Sequence, residues 1–177
     1  METKQAGFLI LRYFILVVLG VGLYFDLFYL IFTPLTVYPV YWISSLIFEN
    51  AHLIGGNLIF FSGVYAEIIP ACVAGAAYFL LLILNLTTQM EIKKRLKNVA
   101  FLFIAFLIFN MVRIVIFSGL LVSGSQYFDE AHFLVWYLGS TFLVVALWFV
   151  SVWLFKIKEI PFYSDFRELF RDVRRGK

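Results

Sequence analysis

A chain of 177 residues that is 63% hydrophobic and 20% aromatic but only 14% charged, with a mean hydropathy of +0.96, is not an ordinary soluble domain. It reads as an integral membrane protein, and its net charge of +3 calls for no nucleic-acid partner. The single cysteine excludes an intramolecular disulfide, a paired-cysteine redox motif and a cysteine-built zinc site.

In chain order, Met1 to Gly7 is short and polar with Lys4, and Phe8 to Phe32 is an apolar run too long for a signal-peptide core, with no small-residue cleavage site after it. It is expected to be the first span, with Arg12 snorkelling at its inner end and Asp26 near the outer interface. Thr33 to Ile69 carries Pro34, Pro39 and the aromatics Tyr38, Tyr41 and Trp42, so Tyr41 to Phe48 reads as a short interfacial or re-entrant helix. From Asn57 to Ile69, two β-prone runs flank Ser62-Gly63, which predicts a hairpin lying at the surface or buried against helices.

Three further apolar runs follow: residues 70–88, 99–122 and 133–155. The basic segment Glu91 to Asn98 and the basic tail 156–177 then lie on the same side, which the positive-inside rule makes the cytoplasm. The expected fold class is therefore an all-α integral membrane domain of about four transmembrane helices with both termini inside. The tail from Ser164 has helical spacing with a basic face, which suits the inner leaflet or simply a solvated tail.

Three polar residues stand out against this topology. Pro70 suits a first helical turn, so Cys72 belongs to the opening turn of a helix running to about Thr88, where the helix dipole favours a thiolate and apolar surroundings oppose it. Of fourteen Lys and Arg residues, twelve fall in the predicted cytoplasmic segments and Arg12 lies beside one; Arg113 alone sits in the outward half of a span. A central arginine costs about 2.5–3.5 kcal/mol on insertion scales, so function is the default reading, with pairing to Asp26, Glu67 or Asp129 as the structural alternative. Asn110, three residues earlier, shares its helix face. His132 opens the last span at the same outer side, with Asp129 placed to orient its ring.

Ala71-Cys72 before a span and after a β-prone lead-in, Asn110-x-x-Arg113 in the next span and His132 opening the last one resemble the exosortase/archaeosortase transpeptidases, over roughly residues 56–139. Many members read Cys-Ser-Gly at the nucleophile, whereas this chain has Cys72-Val73-Ala74-Gly75, which fits a divergent, compact branch. The resemblance implies that Cys72 is the nucleophile, Arg113 stabilises the thiolate or the oxyanion and His132 carries protons, with Asn110 and Asp129 in support. It further implies a partner: an exported protein with a C-terminal sorting signal, cleaved at the extracytoplasmic face of the cell membrane and passed to an amine, a lipid-linked acceptor or water. No cofactor or metal is expected.

The spacing also carries a difficulty. Measured from the span ends, Arg113 lies about 14 Å deep and Cys72 about 3 Å deep, so a break near Ser118-Gly119 is expected to bring them together. On the second span, Cys72, Gly75, Ala76 and Phe79 share a face whose small residues favour close packing. Serine, aspartyl and metallopeptidase readings lack their motifs, and the two histidines form no His-Glu-x-x-His. The alternative function is a non-enzymatic membrane scaffold or subunit in which Arg113 and carboxylates form structural pairs.

Overall fold

The computed structural model describes residues 24–88 and 90–157. Arg12, most of the expected first span and the basic tail beyond Ile157 lie outside the described residues. The first described element, α1 (Tyr24–Ile47), does not end at Phe32 but runs through Pro34 and Pro39. Among the described residues the first long apolar helix thus runs well past the expected end of the first span, and Tyr41–Phe48 is not a separate re-entrant helix, since Tyr41 to Ile47 forms the last turns of α1. Each proline removes one helical N–H, yet in an apolar setting the helix still satisfies the remaining backbone groups, and Phe32, Val37 and Val40 bury its inner face. Asp26 is exposed at the start of α1. From there the helix climbs past Phe28, which packs on Phe79 and Phe103, toward Phe48, which stacks on Phe61 of the sheet. Asp26 is therefore at the end remote from the sheet, opposite to its expected place.

The predicted hairpin is present and has gained a strand. β1 (His52–Ile54), β2 (Leu58–Phe61) and β3 (Val64–Glu67) form an antiparallel sheet in the order β1-β2-β3. Ser62 and Gly63 make the tight turn with φ of 46° and 84°, the positive values that a two-residue hairpin turn requires. Ile59 and Phe61 point inward and are buried, so the sheet caps one end of the bundle.

After the sheet come α2 (Pro70–Val73), α3 (Gly75–Thr87), α4 (Ile92–Val122), α5 (Phe128–Leu134), a π turn (Val135–Gly139) and α6 (Ser140–Leu154). Among the described residues, four helical stretches are long and apolar enough to cross a membrane: Asp26–Ile47, Pro70–Thr87, Ile92–Val122 and Phe128–Leu154. α3 and α4 pack against each other and against both α1 and α6. Aromatic rings fill the centre, with Phe32 stacked on Tyr78 at 3.6 Å between centroids and Tyr78 edge-on to Phe106 at 4.8 Å. Leu30, Leu46, Phe142 and Trp153 project outward, leaving an apolar outer surface.

The basic segment expected to link two spans is instead helical, forming the opening turns of α4. Lys94 Nζ donates to the Lys156 carbonyl at 3.1 Å, and Arg95 donates to the carbonyls of Asn85, Leu86 and Thr88 that end α3. These cations gather at the end opposite the sheet.

Candidate active site

The helix that carries Cys72 breaks two residues after it. Pro70 takes the first helical position as expected, but the helix does not continue unbroken to Thr88: Ala74 adopts φ 58° and ψ 45°, and a new helix starts at Gly75. A left-handed alanine costs about 1–2 kcal/mol and is held here by closure of the turn, with Ala74 N–H donating to the Pro70 carbonyl at 3.1 Å. Gly75 packs closely, because a Cβ there would lie 2.9 Å from the Tyr29 ring, which would have to shift.

Side chains from α4 satisfy the carbonyls near this break. Asn110, 1% exposed, donates Nδ2 to the Cys72 carbonyl at 2.8 Å and to that of Val73 at 3.4 Å. Arg113 donates Nη2 to the same Cys72 carbonyl at 3.2 Å and Nη1 to Ser140 Oγ at 2.7 Å. No carboxylate among the described residues pairs with Arg113, so the pairing with Asp26, Glu67 or Asp129 is not formed.

Cys72 and Arg113 meet without the expected break at Ser118-Gly119, since α4 is unbroken from Ile92 to Val122. The depth calculation failed because it treated the two helix ends as level. The top of α4 instead rises beside the sheet and α5, and Phe48 comes within 3.9 Å of a Cβ built on Gly119. Cys72 starts its helix below that rim.

His132 lies inside α5 and is exposed. Its ring stacks on Phe128 at 5.6 Å and meets Phe117 edge-on at 5.2 Å. Phe117 follows Arg113 by one turn of α4, so the histidine hangs over the arginine's side of the helix. Asp129 is exposed and makes no hydrogen bond with His132; aromatic contacts, not that carboxylate, hold the ring.

Cys72, Arg113 and His132 all line one cavity of about 340 Å³, walled by Ile114, Phe117, Leu121 and Phe128 on one side and by residues 65–69 on the other. A thiol, a fixed guanidinium and an imidazole therefore share an apolar-walled space. Ser140 was missed by the sequence reading. It lies eight residues after His132, which in an α-helix puts the two about 80° apart. The intervening π turn adds one residue to the turn, so the eight behave as about seven and bring both residues to one face. Among the described residues, no cluster of three His, Cys, Asp or Glu side chains is placed to hold a metal ion.

No family model matches the chain, and no curated protein or solved structure matches it.

Proposed function

We propose that this chain is a membrane-embedded cysteine peptidase or transpeptidase of the exosortase/archaeosortase kind, acting on the C-terminal sorting signal of an exported protein. The observation that carries the reading is the convergence of Cys72, Arg113 and His132 on one cavity, at the end of the bundle opposite the basic end. If the basic end faces the cytoplasm, as the positive-inside rule has it, the cavity opens on the extracytoplasmic side of the cell membrane.

In this mechanism the Cys72 thiol gives its proton to His132 and its sulfur attacks the scissile carbonyl, forming a C–S bond and a tetrahedral oxyanion. Arg113, pre-positioned by Ser140 and the Cys72 carbonyl, stabilises the negative charge in surroundings where water screens little. Collapse breaks the C–N bond, His132 returns the proton to the leaving amine, and a thioester remains on Cys72. An incoming amine completes transpeptidation; water completes hydrolysis.

A second reading is supported by one observation: Arg113 bonds a backbone carbonyl and a serine, as a purely structural staple would. On that reading the protein is a membrane scaffold. Co-expression with an exported protein carrying a C-terminal apolar span and basic tail separates the two. The enzyme reading expects C-terminal processing by wild type that disappears with Cys72→Ala at equal membrane abundance. Processing that survives Cys72→Ala contradicts it and returns the chain to the scaffold.

A further inference from the structure

The wall of the cavity facing Arg113 and His132 is a strand edge. Among the described residues β3 has a neighbouring strand on one side only, because the sheet order is β1-β2-β3. Phe61 pairs with Val64 across the two-residue turn and Ile59 pairs with Ala66, while Ile68 N–H donates to the Asn57 carbonyl at 2.9 Å. In an antiparallel ladder, pairs that exchange hydrogen bonds alternate with pairs that do not, and the pair flanking a two-residue turn is a bonded one. Residues 64, 66 and 68 therefore turn their N–H and C=O groups toward β2. Tyr65 and Glu67 turn theirs to the free side.

That free side borders the cavity. The face of a strand presents alternate residues, whereas every residue from Tyr65 to Ile69 lines this space, as an edge does. The outward groups of Tyr65 and Glu67 recur at about 7 Å, the repeat of an extended peptide. The edge ends where the nucleophile begins, since the Ile69 carbonyl accepts the Cys72 N–H at 2.8 Å. Opposite charges line the same space: Glu67, its one carboxylate among the described residues, lies on the strand side with Oε1 accepting from Asn57 Nδ2 at 3.3 Å, and the Arg113 guanidinium lines it from α4.

We infer that the substrate binds in extended form as a fourth strand on β3, pairing its backbone with Tyr65 and Glu67, setting a basic side chain beside Glu67 and delivering its scissile carbonyl to Cys72. A helical segment satisfies its own N–H groups and would leave the edge unpaired. The inference rests on the cysteine-enzyme reading.

The test uses full-length wild-type protein in lipid nanodiscs and acetylated tetrapeptide fluoromethyl ketones, whose carbon bonds to the Cys72 sulfur as fluoride leaves and the thiol proton passes to solvent. The same warhead on a single acetyl-alanine is the short control. In one series each amide of the tetrapeptide is N-methylated in turn; in another, Lys or Glu is moved through the four positions. Strand pairing predicts that the tetrapeptide labels Cys72 on the order of tenfold faster than the control, and that N-methylation slows labelling by a similar factor at alternate amides only. One position should favour Lys over Glu, and that preference should vanish in Glu67→Gln. Equal rates for long and short reagents, or an N-methyl profile without alternation, overturn the strand proposal while leaving the nucleophile in place. No Lys preference at any position overturns its charge complementarity. Failure of both reagents to label wild-type Cys72 contradicts the cysteine-enzyme reading and the strand proposal with it.

Discussion

The two arginines among the described residues bond backbone carbonyls, one at each end of the bundle, and they do so for different reasons. Arg95 spreads its donors over the carbonyls of Asn85, Leu86 and Thr88, at a helix C-terminus where a cation suits the dipole. It sits among Lys93, Lys94 and Lys97. These bonds cap α3. Arg113 bonds a carbonyl that Asn110 already satisfies at the shorter distance of 2.8 Å, and its other bond is to a serine brought round by a π turn. Its charge is more than the local backbone requires, beside the chain's one cysteine. The contrast shows that a carbonyl contact does not reveal an arginine's purpose; what else satisfies that carbonyl does.

The contrast can be broken or sharpened by substitution. Cys72→Ala should abolish processing altogether while the protein accumulates normally, measured by mass spectrometry of the substrate against immunoblot abundance. His132→Ala should lower turnover by about 10²–10⁴-fold, the usual worth of a positioned acid-base, with no change in thermal midpoint. Arg113→Ala should lower turnover by about 10²–10³-fold, while Arg95→Ala should leave turnover per folded molecule intact and cost about 1–3 kcal/mol of stability. If the two variants behave alike, the distinction between the arginines fails. Ser140→Ala loosens one guanidinium bond and should cost about tenfold in turnover with the Michaelis constant unchanged, restored in part by Ser140→Thr. The smallest effect is expected at the helix break: Ala74→Gly should stabilise by about 1 kcal/mol and Ala74→Val should destabilise, read as thermal shifts in detergent.

Much of the site was legible in the sequence because its signals are local. Pro70 announces the turn that carries Cys72, Ser62-Gly63 announces the hairpin, and Asn110 and Arg113 share a face by their spacing. What escaped depends on tertiary setting. Pro34 and Pro39 argue against a helix by local rules, yet α1 continues through them within an apolar bundle that favours helical backbone. Nothing in Val73-Ala74-Gly75 requires the left-handed residue to be Ala74 rather than the glycine beside it. The relative depth of Cys72 and Arg113 is set by how far α4 rises past the second helix, and the alignment of Ser140 with His132 depends on a π turn that regular periodicity does not foresee. Asp129 was given an orienting role on spacing alone, but the histidine rests on Phe117 and Phe128.

The most direct test of Cys72 as nucleophile is intact-mass and peptide mass spectrometry of the enzyme itself, recovered after co-expression with a protein that it processes. A covalent acyl adduct on the Cys72 peptide, removed by hydroxylamine and absent from Cys72→Ala, is the predicted result. Continued processing by Cys72→Ala, with no adduct on the wild-type cysteine, would contradict it.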